Sequence, residues 1–588
     1  MRIGYFEHWH QPPYKFTEFL QEQGVEITKI DYSQKGYLEP FDVAVIEQNG
    51  FNDYIENDEP YIQDWVKRGG ILFFMHQSYE RWAPYFLPQE VGYSQLIHRY
   101  VPTIGGDIVD MSFTGDRTRY MHYMMPWIEE KGRRLFSEPN VISPEEMLCW
   151  KLTTDTFGIT HGGRNSAATM VRTAAQDCFL VPENWDVLGS HADPAVKNSA
   201  LITKVDYGKG MYFFNQILFP EVKEPEAERA FAFWKKYVPN LIAYFERFKK
   251  GESEILPPRE KKTLPIKKNY KMPIHMHSLD WYGTDSAPGT IYAIMRYMGW
   301  DICGIAVKDN APFDGNLDTE KYSDDKVLFL HGQEYHPFNW NDKYDKINHN
   351  AYHLLPIGID PDAYTPRFTR SLHSDEEVER YLQEAITYVH SHGGAVVVAH
   401  PSAGDYWVDY DVDGVDQPGL CPLSGSAVEK AWLSGKRFAV TASVDLFGVR
   451  RVLDNPALNF IYLKGETPCR DSVVKAIKGH HLIASRGFAE ADITLTSGAA
   501  TYVPGDEISL EEAQKGTLSI YAKVSRENIE KLRVYAGAEE IYAATGNGTD
   551  TVQLEIPLKD YDLHDYIRVE IEGQNAFWYA NATPIWLG

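Results

Sequence analysis

Short apolar runs alternate with helix-like stretches in the first part of the chain. Runs at residues 41–46 and 71–75 flank an amphipathic stretch at residues 60–67, and a longer helical pattern follows at residues 226–248. Buried parallel strands are typically continuous apolar runs, and crossover helices connect them. Residues 1–249 are therefore predicted to form a doubly wound α/β domain around a parallel sheet.

A charged, proline-punctuated segment at residues 250–270 interrupts this pattern and is typical of an interdomain linker. Apolar runs then return in PIHMH, ICGIAV, KVLFLHG, AYHLLPIGI, AVVVAHP and FAVTA, with helical patterns between several of them. Such strands, with polar residues where they end, favour a β/α barrel whose active site collects at the C-terminal rim of the strands. We assign this barrel to residues 271–491.

The last part of the chain changes character. Short strand-like segments at residues 518–524, 531–535, 552–556 and 566–571 are separated by turn-like sequences such as GNGTD. This spacing is typical of a small β-sandwich, which we assign to residues 492–588. The chain is thus predicted to be an α/β multidomain protein with a parallel sheet, a barrel and a sandwich in that order.

Length, charge and cysteine usage narrow the class of protein. At 588 residues the chain is too long to fold around one hydrophobic core and should divide into several domains. Its 58 basic and 83 acidic side chains give a formal charge of −25, which argues against nucleic acid as a partner. The five cysteines form no CxxC pair, and the sequence contains neither a leader pattern nor an apolar stretch of roughly 18 residues. We expect a soluble, cytoplasmic protein that spans no membrane.

Five side chains stand out as candidate metal ligands. His275 and His277 share one face of a strand because they are two residues apart. Glu334, His353 and His400 each lie at or just beyond the end of an apolar run that we interpret as a buried parallel strand. Taken alone, such a histidine is more often a hydrogen-bonded core group than a ligand, and Glu334 alone could be a solvated edge carboxylate. Their common placement favours a shared cation.

The middle part of the chain resembles the PHP (polymerase and histidinol phosphatase) superfamily, in particular its carbaryl-hydrolase-like branch. The resemblance depends on IHMHS, HGQE, YHLLPIGID and GGAVVVAHP in that order, and on the later WLSGKRFAVTASVD and KAIKGHHLIASRG. It implies a distorted (β/α)7 barrel that holds two or three cations and hydrolyses phosphoesters. Carried over by position, it implies that the metal ligands are those listed here: His275, His277, Glu334, His353 and His400.

The chain also departs from the family pattern. Its TDH element is Lys308, Asp309, Asn310, so an imidazole ligand is replaced by an amide. The closing SDxH element lacks its histidine, and its aspartate, Asp445, comes one position late. Asp445 remains a predicted ligand if a bulge or the strand end re-aims it. We expect one or two divalent transition-metal ions, Zn, Mn or Fe, because the ligand set contains nitrogen and oxygen without thiolate.

The implied chemistry is attack of metal-activated water on a phosphoester or related bond. Candidates for protonating the leaving group or contacting the substrate are Lys308, Asp309, His336, His349 and Arg486. The expected substrate is a small molecule, with sugars and sugar phosphates among the candidates. A metal-dependent glycoside hydrolase and a catalytically degenerate carbohydrate-binding or scaffold protein are the alternatives, and a homo-oligomer stays open.

The first domain resembles the glutamine-amidotransferase-like, flavodoxin-like modules of trehalose-utilisation-type proteins and of some β-galactosidases. The segments that carry this resemblance are DVAVIEQNG, WVKRGGILFFMH and GKGMYFFNQ. Cysteine does not occupy a strand-to-helix elbow, where a nucleophile would lie. We therefore expect this domain to serve in assembly or in framing the substrate, with a hint of carbohydrate metabolism.

Overall fold

The computed structural model describes most of the chain, in two compact units. The first unit holds the described residues up to Glu260 together with those of 288–297, and the second holds the others. The described residues are 1–7, 12–77, 86–92, 95–98, 101–102, 108–109, 127–147, 150–151, 159–161, 164–166, 170–171, 177–190, 199–221, 223, 227–260, 262–277, 288–308, 318–335, 353–360, 375–401, 406–416, 423–443, 457–574 and 578–588.

Strands of the first unit are short, and the central ones are apolar. They are β1 Ile3–Phe6, β2 Ile27–Lys29, β3 Val43–Ile46, β4 Ile71–Phe74, β5 Gln95–His98, β6 Val101–Pro102, β7 Ile108–Val109, β8 Trp127–Ile128, β9 Trp150–Lys151, β10 Ile159–His161, β11 Arg164–Ser166, β12 Met170–Val171, β13 Asp177–Leu180, β14 Asp186–Ser190, β15 Ser199–Ala200, β16 Ile202–Tyr207 and β17 Gly210–Asn215.

The helices of the described residues are α1 Phe16–Glu22, α2 Asp53–Asn57, α3 Glu59–Lys67, α4 Glu228–Lys250, α5 Pro288–Met298, α6 Asp375–Ser391, α7 Ala427–Leu433, α8 Arg470–Lys478 and α9 Leu510–Gln514. None of these helices is long and apolar enough to cross a membrane.

The main sheet of the first unit has the strand order β2-β1-β3-β4-β17-β16-β14-β8. Its first five strands are parallel, as the apolar runs predict. The last three are added antiparallel, so the sheet is only partly the parallel one that we expected. A tight turn at Gly208, where φ is +63°, connects β16 directly to β17, which forces the antiparallel pairing.

The strands of the second unit are β18 Tyr270–Met272, β19 Met276–His277, β20 Ile302–Lys308, β21 Leu328–Leu330, β22 Gln333–Glu334, β23 Leu354–Ile357, β24 Ala395–Val398, β25 Gly414–Asp416, β26 Ala439–Thr441, β27 Ala457–Ile461, β28 Leu482–Arg486, β29 Phe488–Ser497, β30 Ala500–Tyr502, β31 Glu507–Ile508, β32 Thr517–Val524, β33 Ile529–Ala536, β34 Glu539–Thr545, β35 Thr551–Pro557, β36 Tyr566–Gly573, β37 Tyr579–Ala582 and β38 Ile585–Leu587.

Strand pairings in the second unit run from β19 to β26 and return to their start. One path joins β19, β20 and β21, with β22 also paired to β20, and a second joins β23, β24, β25 and β26. Isolated bridges Gly332–Ile357 and Tyr335–Leu354 connect the two paths at one side, and Ile274–Ser443 connects them at the other. The six runs predicted to be strands all form strands here, and the short strands β22 and β25 are additions.

One strand of this ring runs against the others. We expected the strand of AYHLLPIGI to be parallel, but β23 pairs with β24 antiparallel, with Leu354 opposite Val398. The start of β23 therefore lies at the same rim as the ends of the parallel strands. This reversal is a correction to the predicted all-parallel pattern, and it decides where His353 lies.

Two further sheets complete the unit. A four-stranded sheet has the order β30-β29-β32-β35, and a nine-stranded sheet joins β18, β27 and β28 to β37, β36, β33, β34, β38 and β31. The four segments predicted as C-terminal strands correspond to β32, β33, β35 and β36. The boundary predicted between residues 491 and 492 falls inside β29, and hydrogen bonding continues from β28 to β37.

Candidate metal centre

The five predicted ligands reach one rim from four strands, β19, β22, β23 and β24. His277 ends β19 and His275 precedes that strand, Glu334 ends β22, and His400 follows β24. His353 does not follow its apolar run, as we expected, but comes immediately before β23. Because β23 is antiparallel, its start brings His353 to the rim where the other strands end.

A glycine allows the strands around Glu334 to approach closely. A Cβ atom on Gly332 would lie 2.4 Å from the carbonyl oxygen of Ile305 and 2.7 Å from that of Pro356. Backbone oxygens cannot yield as a flexible side chain can, so glycine is required between these neighbours. The pairing that it permits continues two residues later at Glu334, which lies opposite Lys308 of β20.

Two of the histidines have an unusual backbone. The φ angle is +60° at His275 and +27° at His400, which is the left-handed region that residues other than glycine rarely adopt. Such strain costs on the order of 1–3 kcal/mol per residue and persists only where the surroundings enforce it. Among the five candidate ligands, these are the two with a left-handed backbone, one next to the bridge Ile274–Ser443 and the other just after β24.

All four imidazoles contact the carboxylate of Glu334. Its Oε1 atom lies 2.7 Å from Nδ1 of His353, 3.2 Å from Nε2 of His400 and 3.4 Å from Nε2 of His275. Its Oε2 atom lies 3.4 Å from Nε2 of His277. The ring centroids of His275 and His277 are 4.8 Å apart. The two rings do not meet through strand alternation, as we expected, because His275 lies outside β19 with a left-handed backbone.

This cluster of one carboxylate and four imidazoles is buried. Glu334 is 2% exposed, and the histidines are buried except His400, whose side chain is 23% exposed. Burial raises the pKa of Glu334, but the charge of His275 and hydrogen bonds from His275, His353 and His400 outweigh it and hold the pKa well below its usual range. The open side of the cluster is therefore at His400.

The donor set fits a divalent transition metal. One donor atom each of His275, Glu334 and His400 lies within 4.8 Å of the other two. Donors bound to one zinc ion at about 2.1 Å are at most about 4.2 Å apart, so little movement is needed. Imidazole nitrogen and carboxylate oxygen are ligands of Zn, Mn and Fe, and deprotonated donors are needed to bind them.

Asp416 is a buried carboxylate at the same rim that the sequence analysis missed. It ends β25, is fully buried, and its Oδ2 atom accepts hydrogen bonds from the Ser443 hydroxyl at 2.7 Å and from the His400 amide at 3.4 Å. Burial raises its pKa, although the Ser443 hydrogen bond and the nearby charges of His400, His275 and Arg486 lower it. Its Oδ1 atom has no hydrogen-bond partner among the described residues.

The remaining predicted site residues are placed only in part. Asp309, His336, His349 and Asp445 lie outside the described residues, and for Lys308 the structure describes only the backbone, which ends β20. Arg486 ends β28 and is half-buried, with an Nε atom that is buried without a hydrogen-bond partner in the described part of the chain. Its charge lowers the pKa of Asp416, so Arg486 lies within electrostatic range of that carboxylate.

Comparisons with known proteins give little to add to this geometry. No family model matches the chain, and no curated protein matches it. A cytoplasmic protein of Salmonella typhimurium LT2 is 12% identical, with 42% of this chain and 99% of that chain covered and a TM-score of 0.23. An exo-β-1,4-mannosidase of Opitutaceae bacterium strain TAV5 is 11% identical, with 44% and 36% covered and a TM-score of 0.20. A cold-adapted β-galactosidase of Rahnella sp. R3 is 13% identical, with 46% and 33% covered and a TM-score of 0.19. Likenesses at these scores carry no argument about function.

Proposed function

We propose that the chain is a metal-dependent hydrolase whose second unit is a distorted, PHP-type seven-stranded barrel. The observation that carries the proposal is the convergence of four imidazoles from three strands on one buried carboxylate, Glu334, of a fourth strand. A ring of paired strands in which only β23 is reversed supports the barrel. The substrate would be a small phosphoester, or a related ester or glycoside.

The chain's own residues divide the work in this proposal. His275, His277, Glu334 and His353 are the buried donors, and His400 holds the cation from the open side where substrate enters. A bound divalent ion would supply a nucleophilic water at neutral pH and stabilise the developing negative charge. Arg486 is the described side chain that offers a fixed positive charge at this rim, and we assign it to contact an anionic substrate.

Metal analysis and turnover together test the proposal. Protein purified without chelator or affinity-tag metal should contain at least one transition-metal ion per chain and hydrolyse an aryl phosphate or an aryl glycoside. His400→Ala should abolish turnover with the fold intact. His390→Ala is the matched control, because His390 lies on α6 and is not one of the cluster histidines. Its Nε2 atom pairs with the Asp413 carboxylate at a distance of 2.8 Å. Unchanged activity in His400→Ala would remove this rim as the active site.

A catalytically degenerate binding protein is the second candidate. It is favoured by the replacement of the TDH histidine with Asn310 and by the late aspartate of the SDxH element. In that case metal would remain substoichiometric after reconstitution, and neither aryl substrate would turn over. Binding of a carbohydrate without hydrolysis would then assign the barrel as a recognition or scaffold module.

We further propose that the first unit is a flavodoxin-like domain that frames the substrate or an assembly. Its five parallel strands have the order β2-β1-β3-β4-β17, which is the order of that fold. The five separate cysteines suit a reducing compartment, so the proposal places the protein in the cytoplasm. The test of that placement is to express the full chain in the cytoplasm of a bacterial host. An assay should then find its thiols free.

A further inference from the structure

A buried carboxylate and a buried hydroxyl lie between the two strained histidines. Asp416 of β25 is fully buried, and Ser443, just after β26, is 4% exposed. The Ser443 hydroxyl donates to Oδ2 of Asp416 at 2.7 Å, and the backbone amide of His400 donates to the same oxygen at 3.4 Å. One carboxylate oxygen thus connects the hydroxyl on β26 to the backbone of His400.

The same pair also reaches His275 through the backbone. Ser443 forms an isolated bridge with Ile274, the residue before His275. His400 and His275 are the two histidines of the cluster whose φ angles are positive, +27° and +60°. A strained conformation is kept only where neighbouring groups hold it, and a hydrogen bond to the His400 amide is such a restraint. The pair therefore contacts the backbone of His400 and that of the residue next to His275.

Burying the Asp416 carboxylate costs free energy that its hydrogen bonds offset only in part. The Oδ1 atom of Asp416 has no hydrogen-bond partner among the described residues. Leaving a buried polar atom unpaired is unfavourable, so a residue used only for packing would be better replaced by an apolar one. The position of the carboxylate next to two candidate ligands indicates a role in the metal site rather than in packing.

We propose that Asp416 and Ser443 are positioning residues that preset His400 and His275 for the cation. This inference rests on the proposed function. Asp416 acts through the backbone of His400, and the Ser443 hydroxyl holds the Asp416 carboxylate in place beside the residue that precedes His275. Neighbouring groups that orient metal ligands typically change metal affinity about 10–100-fold when they are removed. The proposal therefore predicts an effect on metal binding itself, before any turnover.

Titration of Mn²⁺ into metal-stripped, full-length protein by calorimetry tests it. Asp416→Ala should weaken Mn²⁺ binding about 10–100-fold. Asp416→Asn retains an oxygen acceptor for both hydrogen bonds, so it should recover most of the affinity. Asp413→Ala is the matched control: its carboxylate accepts the Val396 amide at 2.7 Å at the other end of β25, and its loss should leave Mn²⁺ affinity unchanged.

The outcomes separate this inference from the function on which it rests. If the unaltered protein binds no metal, the proposed function fails. If it binds metal and Asp416→Ala binds equally well, the positioning role alone is overturned. Equal losses in Asp416→Asn and Asp416→Ala would overturn the hydrogen-bond mechanism. If Asp416→Ala does not fold, Ser443→Ala decides, because it removes the hydroxyl that holds the Asp416 carboxylate. Weaker Mn²⁺ binding by Ser443→Ala supports the pair, and unchanged binding overturns it.

Discussion

The second unit buries ionisable groups in two clusters that are balanced in different ways. Around Arg568, a guanidinium that stays positive at all ordinary pH values pairs with Glu429 at 2.6 Å and with Glu570. Around Glu334, the groups facing the carboxylate are four imidazoles, whose ring nitrogens can also bind a metal ion. One cluster carries its own permanent cation, and the other has titratable donors that can accept one.

The surroundings of the two clusters differ in the same sense. The Arg568 guanidinium lies 3.9 Å from the centre of the Tyr535 ring, and Glu570 also accepts the Leu423 amide at 2.8 Å. This is a fixed network on rigid strands, with exposures of 1% for both Arg568 and Glu570. The Glu334 cluster instead includes His400, which is partly open to solvent. We infer that the first is structural and that the second is built to exchange an ion.

Replacing Glu334 should produce the largest effect and should separate binding from stability. Glu334→Gln removes the one negative charge that all four imidazoles share, so metal affinity should fall by at least about 100-fold, and turnover with it. The metal-free variant should remain folded, because no permanent cation loses its partner. Metal content and unfolding of the stripped protein check this. Full metal occupancy in Glu334→Gln would contradict the role of the cluster.

Replacing Arg568 should have the opposite profile. Arg568→Met leaves the buried carboxylates of Glu429 and Glu570 without their cation, and breaking a buried pair costs about 3–5 kcal/mol of unfolding free energy. Metal affinity should not change in the fraction that folds. Denaturant unfolding measures the loss, and adding Glu429→Gln and Glu570→Gln to the same variant should recover part of it. A normal midpoint would show that the triad is not needed.

His480 sharpens the comparison as a half-buried imidazole that its surroundings keep neutral. Burial lowers its pKa from 6.5 to about 4, with the charge of Asp413 opposing the change. The unfolded chain therefore binds more protons between pH 6.5 and 4, and stability should be lost as pH falls through that window. At about 1.4 kcal/mol for each pKa unit, the loss is roughly 3 kcal/mol.

His480→Asn tests this dependence. Asparagine tolerates the positive φ of +64° at this position, and it does not titrate. Unfolding of the variant should be less sensitive to pH between 6.5 and 4 than unfolding of the unaltered protein, with the two compared at pH 7.5 for reference. Parallel curves across the window would contradict the assignment of the acid-sensitive group.

An exposed ion pair should show the smallest effect. Arg437 and Glu507 pair at 2.7 Å with side chains that are 46% and 54% exposed, so water screens them. Arg437→Met should leave the denaturation midpoint and the metal affinity unchanged within error. A large loss here would mean that exposure does not separate weak pairs from strong ones in this protein.

Local sequence was informative where a strand could be recognised by its own residues. Apolar runs located β20, β24 and the other predicted strands, and histidines at their ends located most of the cluster. Direction was not visible, because LLPI has the same apolar pattern in a parallel and an antiparallel strand, and this is why His353 precedes its strand against expectation. Sheet neighbours that are distant in sequence, such as β28 and β37, left no local pattern.

Asp416 was missed for a related reason. Its strand has three residues, Gly414, Val415 and Asp416, with only one large apolar side chain, so a search for apolar runs passes over it. A count could have found it: the resemblance implies seven strands, six apolar runs were recognised, and a long interval separates the last two. The left-handed backbones of His275 and His400 have no such signal, because long-range contacts impose them.

The ring of strands has a seam at the isolated bridge between Ile274 and Ser443. His275, on one side of that seam, shares the Glu334 carboxylate with a histidine that follows β24 on the other side. An ion bound by both histidines would connect the two sides of the seam. Because binding stabilises the state that binds, a higher ion concentration would favour the state in which the bridge is formed. Hydrogen exchange of the backbone amides of residues 272–277 should therefore slow when the metal ion binds. The exchange rate of this edge would then report the fraction of the protein that holds an ion.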